Sequence, residues 1–487
     1  MELFLKLSLF ILFFAALVPH HICSGYDVCS FPCTKPKVLT ADSVAGVRPW
    51  FSKAPDEALK EMRNSTTRHV RYEGKMRKPF VTAVKRGVSQ LQLHSAPSIE
   101  NSLHLKGKPL IDFGTLGSLD LSDMKRYRNA IINAITKYGL TFSTSSQWIR
   151  HPLWIETTKR VEEVFGRPCI LTRSTGIANM AFFSVIIRLD PDQTGGIIID
   201  HDAHSSLRMM GVAIGGVEPS FTLKRTFDVE ELEERMRELP QNAAPIWYVL
   251  DGMVSMTGKI PDAQKLFALQ RKYPNLWVYC DDAHGTGWSG EGGKGLITDQ
   301  VLHEASTNKM GYAEEANRWV FAVCFGKSLC ADGGALIFPN EEMKHIVELF
   351  SPFSTFSCTK FPIADLALIN EAMKMSQDGT IDELQVELKH KVEYMHESAH
   401  RHLEYLVDLC DDSTETPVLF IPFDRDLKTH YDIVDTLFQE GIFVANCVPP
   451  ATRSLGIRVT VHRTAKLEDI DHLMKRIRDL LIQTRTT

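Results

Sequence analysis

Leu276-Trp277-Val278-Tyr279-Cys280-Asp281-Asp282-Ala283-His284-Gly285-Thr286-Gly287 passes directly from five apolar residues to acids, a histidine and glycines. The apolar part does not alternate with polar residues. An unbroken run of this kind suits a strand covered on both faces, as in a sheet sandwiched between helices. Four other stretches read the same way: Gly196–Ile199, 246–250, Trp319–Cys324 and 335–338. Helical patterns separate several of them. Asp228 followed by Glu231 is a capping-box pattern opening a helix over 229–239, which Pro240 stops. Ile470, Leu473, Met474, Ile477, Leu480 and Leu481 recur on one helical face, with Thr464 as candidate N-cap and Glu468 and Asp469 in the early turns. Strands alternating with helices predict an α/β domain with a large, mostly parallel sheet. From about residue 373 the pattern predicts a smaller α+β part.

In open α/β sheets, ligands gather at the carboxyl ends of the strands. The residues that follow each apolar run are therefore the ones to read. They are Asp200-His201-Asp202-Ala203-His204-Ser205-Ser206, Asp251-Gly252-Met253-Val254-Ser255, Asp281 to Gly287, and Phe325-Gly326-Lys327-Ser328. Four strand ends thus offer acids, histidines, hydroxyls and one lysine. Lys327 precedes a small-residue turn, Ala331-Asp332-Gly333-Gly334. A lysine in low-dielectric surroundings loses proton affinity and can form a Schiff base, whereas a surface lysine at a strand end does neither. Asp281, three residues before His284, could hold a protonated pyridine nitrogen, cap a helix or ligate a metal. His201 and His204 could likewise bind metal, but no thiolate cluster or HExxH helix supports a metal site. The glycines from Gly287 to Gly295 lack the GxxxxGK[ST] spacing of a phosphate loop, which argues against nucleotide binding and for a mobile turn.

Asp281-Asp282-Ala283-His284-Gly285-Thr286-Gly287, followed by Gly290-Glu291-Gly292-Gly293-Lys294-Gly295, resembles the signature of the α-oxoamine synthases, fold-type I pyridoxal phosphate enzymes. Phe325-Gly326-Lys327 with Gly333-Gly334-Ala335 resembles their cofactor-lysine motif. The resemblance runs, with gaps, from about Leu110 to the C-terminus. It implies pyridoxal 5'-phosphate bound covalently by Lys327, with Asp281 on the pyridinium nitrogen, His284 on the ring hydroxyl and His204 stacked on the ring. Thr175, Gly176 and Ile177 would offer backbone amides to the phosphate at a helix start. Ser255 would add a polar contact, and Arg458 would grip the amino-acid carboxylate, a task suited to a bidentate guanidinium. The implied catalytic residues are Lys327, His204 and His284, with no metal.

The implied reaction condenses an amino acid with an acyl-CoA or acyl-carrier thioester. An aminotransferase or amino-acid decarboxylase on the same fold is the nearest alternative, and a catalytically silent partner subunit is another. A homodimer or heterodimer is implied. Three departures stand against the pattern. Cys324 replaces a phosphate-binding hydroxyl three residues before the lysine. Leu116 replaces an asparagine near the substrate. Ser143-Thr144-Ser145-Ser146-Gln147-Trp148 replaces a glycine-rich stretch.

The remaining sequence bounds the rest. The chain has 487 residues, 44% hydrophobic and 24% charged, with net charge -5. That excludes wholesale disorder and a coiled-coil rod, and gives no ground for a nucleic-acid partner. Ten cysteines are too few for a disulfide scaffold. Cys169, Cys280, Cys324 and Cys447 lie in or beside apolar runs and read as reduced core residues. Cys29 and Cys33 read as a pair of tail thiols or a disulfide. Leu7 to Val18 is an uncharged apolar run preceded by Lys6. Residues 1–25 therefore read as a signal peptide or a membrane anchor over 3–18, placing the chain on the secretory route or at the endoplasmic reticulum membrane. Asn64-Ser65-Thr66 would then be a glycosylation acceptor. The basic stretch from Arg68 to Arg86 reads as a solvated surface or a membrane-facing patch. The expected division is this terminal segment, an N-terminal extension and arm over 26–119, a large cofactor-binding domain over 120–372 and a small C-terminal domain over 373–487.

Overall fold

The computed structural model describes residues 60, 63–64, 78, 81–86, 103–105, 108–122, 124–141, 148–186, 195–208, 219–240, 244–354, 361–409, 415–423, 425–449 and 452–484. The 1–25 segment, Cys29, Cys33, Ser65-Thr66, most of the basic stretch and 143–147 lie outside them. The strands and helices below all belong to Met62–Thr487, one of two compact units into which the chain divides.

Among the described residues, twelve strands form two sheets. In chain order they are β1 (Leu103–Leu105), β2 (Lys108–Phe113), β3 (Cys169–Thr172), β4 (Gly196–Ile199), β5 (Phe221–Thr222), β6 (Ile246–Asp251), β7 (Leu276–Asp281), β8 (Trp319–Cys324), β9 (Gly334–Ile337), β10 (Val418–Pro422), β11 (Ile442–Cys447) and β12 (Gly456–Thr460). The large sheet has the order β3-β9-β8-β7-β6-β4-β5. The run from β8 to β5 is parallel, as expected.

β6 shows why the apolar runs do not alternate. Trp247 and Val249 face one buried cluster with Phe182 and Tyr279, while Tyr248 and Leu250 face another with Val278 and Phe321. Both faces are covered, so both parities must be apolar. Each such side chain stabilises the fold by about 1.5–3 kcal/mol.

β9 differs from its neighbours: it runs antiparallel to both β3 and β8. The connection over 325–333 is too short for a crossover, which takes about a dozen residues or more, so the chain must turn straight back. Lys327 sits on that tight connection.

The second sheet has the order β1-β2-β11-β12-β10. β2 pairs parallel with β11, Ile111 opposite Ile442, so an early segment completes a sheet built from the end of the chain. Helix Leu467–Gln483 covers it with the expected stripe, all six residues of which are buried. Thr464 is not its cap. The N-cap position is Lys466, and the Thr464 hydroxyl instead donates to Asp120. The capping box at Asp228 is half formed. Asp228 accepts the Glu231 N–H, but Glu231 turns outward to accept the Lys224 N–H at 2.8 Å and so closes the preceding turn. The turn over Gly287–Gly295 is fastened. Gln385 donates to the carbonyls of Gly287 and Gly290, and Asp382 accepts the Gly292 N–H. Cys169, Cys280, Cys324 and Cys447 are free and buried, as expected. Among the described residues no helix is long and apolar enough to cross a membrane.

Asp228→Ala removes the one cap that helix Val229–Glu238 receives from its N-cap side chain and breaks the contact with Arg225. It should cost about 1–2 kcal/mol, read as a lower urea midpoint of the purified chain.

Candidate active site

The site forms where β6, β7 and β8 end side by side. Their register sets Asp251 opposite Asp281, and Asp281 opposite Ala322. Asp251 and Asp281 are both buried. Asp281 Oδ2 accepts from Asn179 Nδ2 at 2.8 Å, and its Oδ1 accepts the Ala283 N–H at 3.2 Å. Asp251 Oδ1 accepts the His204 N–H at 2.9 Å. Burial, foremost, and the neighbouring Asp281 charge push the Asp251 carboxyl well above the usual range.

Lys327 lies within electrostatic reach of Asp281, Asp251 and Arg458. Among the described residues its side chain has no hydrogen-bonding or ion-pair partner. Burial lowers its proton affinity, and the Arg458 charge adds to this, while Cys324, Asp281 and Asp251 oppose. His284 is half-buried. Burial, then the charges of Lys327 and Arg458, lower its pKa well below the ordinary histidine value, so its ring is neutral. His204 is accessible but recessed. Its pKa is also lowered, by the surrounding protein first, with Asp281 opposing and Lys327 adding. An open ring face with a neutral imidazole can stack on a flat ligand. His201 is turned elsewhere, with Nδ1 3.1 Å from the Leu223 carbonyl.

Helix Thr175–Ile186 starts beside the same strand ends. Gly334 makes the approach possible, because a Cβ there would come within 2.9 Å of the Thr175 nitrogen. The Ile177 N–H is engaged locally by the Ser174 carbonyl and hydroxyl. Arg458, on β12, is buried. Its terminal nitrogens donate to the carbonyls of Ser255 and Gly114, both at 3.1 Å, and Nε is buried without a partner. Ser255 therefore touches Arg458 through its backbone.

The structure thus brings Lys327, Asp281, His284, His204 and Arg458 to one cleft, with the helix start and Ser255 at its edge. An unpartnered ammonium, an orphaned guanidinium nitrogen and a buried carboxylate fit an aromatic, anionic cofactor. The sequence reading missed Asn179, which donates to Asp281, and the roles of Ser206 and Tyr279, which bond the Asn179 amide. It also missed the polar cluster beside Leu116, where Thr115 contacts Asp112 and lies 3.3 Å from His462 Nε2.

Asp282 anchors the turn that carries His284. It is wholly buried, and its Oδ2 accepts the Thr298 hydroxyl at 2.6 Å. A Cβ at Gly252, Gly285 or Gly295 would collide with its carboxyl.

Residues 163–477 match the family model of aminotransferase class I and II. An 8-amino-7-oxononanoate synthase of Thermosipho melanesiensis is 26% identical over 381 residues, covering 77% of this chain and 89% of that protein. A serine palmitoyltransferase of Bacteroides ovatus is 23% identical, covering 77% and 88%. A solved serine palmitoyltransferase of Sphingomonas wittichii superposes with a TM-score of 0.68 at 19% identity, covering 84% of this chain and 98% of that one. Another, carrying pyridoxal phosphate, gives 0.70 at 19%. The fold is that of these enzymes. The expected place on the secretory route or at the endoplasmic reticulum membrane is corrected. These curated relatives are bacterial enzymes, no described helix can cross a membrane, and the apolar 3–18 segment lies outside the described residues.

Burial pushes the Asp282 carboxyl up to about 7, the Asp281 charge adding and the Thr298 hydrogen bonds opposing. Between about pH 4 and 7 the folded chain keeps a proton that the unfolded chain has lost. Stability contributed by this carboxyl therefore falls as pH rises, by up to about 1.4 kcal/mol per pH unit. Asp282→Asn removes the dependence. The urea midpoint of the unaltered chain should drop relative to the variant from pH 5 to 7, and the gap should level off above pH 8. Parallel profiles would show that Asp282 is ionised throughout.

Proposed function

The chain belongs to the aminotransferase class I and II family, pyridoxal phosphate-dependent transferases, and on that premise we propose that it condenses an amino acid with an acyl thioester to give an α-oxoamine. The observation that carries the reading is the convergence of Lys327, Asp281, His284, His204 and Arg458 on one cleft. The relatives named above are α-oxoamine synthases, which supports condensation over the other reactions of the family.

In this reading Lys327 bonds the cofactor. Asp281 meets its ring nitrogen, His284 its ring hydroxyl and His204 its face. The amides of Thr175 and Gly176 would meet its phosphate, joined by the Ile177 N–H where it gives up Ser174, and Ser255 would lie beside it. When bound, pyridoxal phosphate supplies an electron sink for the charge left on the amino-acid α-carbon. Arg458 holds the substrate carboxylate with its guanidinium, whose Nε has no other partner. Lys327, freed when the amino-acid amine takes its place, would accept the α-proton, since burial leaves more of its amine neutral than a solvated lysine would have. The new carbon–carbon bond joins the α-carbon to the acyl carbon, the thiol departs, and the carboxylate leaves as carbon dioxide with one proton taken up. Segment 120–372 carries the cofactor residues and 373–487 supplies Arg458. The donor is an acyl-CoA or acyl-carrier thioester, and the working form is a homodimer or heterodimer.

The test is to load the purified chain with pyridoxal phosphate and supply amino acids with acyl-CoA thioesters of graded length. Thiol and carbon dioxide should appear in equal amounts. Lys327→Ala should abolish both, and Arg458→Lys should raise the amino-acid KM by about tenfold or more, because a bidentate grip is lost. Carbon dioxide without thiol would mean a decarboxylase, and keto acid without either would mean an aminotransferase. Each outcome ends the condensation reading.

A further inference from the structure

Asn179 is the polar residue at the centre of an otherwise apolar stretch of helix Thr175–Ile186, and it is wholly buried. Its amide makes three hydrogen bonds. Nδ2 lies 2.8 Å from Asp281 Oδ2 and 3.1 Å from Ser206 Oγ, and Oδ1 lies 2.6 Å from the Tyr279 hydroxyl. Ser206 Oγ is in turn 2.8 Å from His204 Nδ1. The direction of each bond follows from chemistry. A carboxylate only accepts, so the nitrogen of the amide must face Asp281 and the oxygen must face Tyr279. Tyr279 therefore donates to Oδ1. Both Nδ2 hydrogens are then used, one on Asp281 and one on Ser206. Ser206 Oγ, accepting from Asn179, turns its own hydrogen to His204 Nδ1, which also receives the Ser206 N–H at 3.2 Å. His204 Nδ1 is thus an acceptor, and the ring proton sits on Nε2.

We propose that Asn179 is a positioning residue: its amide, oriented by Tyr279, aims the Asp281 carboxylate and, through Ser206, fixes the tilt and tautomer of His204, so that the two residues that meet the cofactor ring are set as one unit. The inference rests on the cofactor-binding reading above. Tyr279 is suited to be the fixed end. It is fully buried, stacks on Phe182 at 4.7 Å and meets Phe183 edge-on at 4.8 Å, both from the same helix as Asn179. Each bond to a charged or buried partner that is lost leaves another group unsatisfied, so the unit fails together rather than by parts.

The test titrates the full-length chain with pyridoxal phosphate and follows the visible absorption band, its circular dichroism and the unfolding temperature of the cofactor-free protein. Asn179→Ala should weaken cofactor binding about tenfold or more and change the sign or size of the visible dichroism. Asn179→Asp, which sets a second acid against Asp281, should weaken it further. Tyr279→Phe removes one hydroxyl and no ring. It should weaken binding a few-fold in the natural background and have no added effect beside Asn179→Ala, because both act through one amide. Should Asn179→Ala fail to fold, Tyr279→Phe and Asn179→Asp decide the matter. Unchanged affinity and dichroism in variants that bind cofactor would overturn the inference while leaving the reading intact. No visible band in the natural chain, or one that survives Lys327→Ala, would overturn both.

Discussion

Two carboxyl groups buried side by side, Asp251 and Asp281, are the constraint around which the cleft is arranged. Parallel strands in register force the contact, because consecutive strand ends lie level. Two like charges cannot both be held there at low cost. The surroundings divide them. Asp281 receives donors on both oxygens, from Asn179 and Ala283, whereas Asp251 receives the His204 N–H on one. Burial, foremost, and the Asp281 charge raise the proton affinity of Asp251. Asp251 is thus biased toward its neutral form beside Asp281.

Much of this was readable along the chain. Unbroken apolar runs located five of the seven strands of the large sheet to within a residue or so, β3 and β5 going unread, and the polar residues after them located Lys327, Asp281, His284 and His204. That works because a sheet covered on both faces leaves chemistry nowhere to go but its ends. Long-range pairing was not readable. β2 joins β11 across more than half the chain, and no local property of Ile111 or Ile442 announces the other. Local signals also yielded to tertiary ones. Thr464 spends its hydroxyl on Asp120 instead of capping the helix that follows, and Glu231 closes the turn before its helix instead of the box at its start. The glycines after Gly287 suggested mobility, yet Gln385 and Asp382 fasten them.

Asn179 shows where such reading stops. A single amide in Thr175-Gly176-Ile177-Ala178-Asn179-Met180-Ala181-Phe182-Phe183 is a signal, since a buried polar group must find partners. Which partners it finds depends on strand register and helix docking, which the helix sequence alone does not contain. The same holds for Ser206 and Tyr279. Each is unremarked in its own segment and acquires its role only where three segments meet.

The charge balance of the cleft argues for the kind of ligand it takes. Arg458 is a buried guanidinium whose terminal nitrogens reach, among the described residues, only the carbonyls of Ser255 and Gly114 and the Met256 sulfur, and whose Nε reaches none of them. The Lys327 side chain has no partner among the described residues, and burial and the Asp281 charge bias Asp251 toward its neutral form. Neither basic group has an ion-pair partner among the described residues. Carbonyl dipoles only partly offset a buried cation, so the surplus is costly until an anion arrives. A ligand that brings a phosphate to the start of helix Thr175–Ile186 and a substrate that brings a carboxylate to Arg458 would supply what the protein leaves unmet. Burial foremost, with the Lys327 charge adding, holds both histidines below the ordinary value, so their rings can stack on a ligand in neutral form.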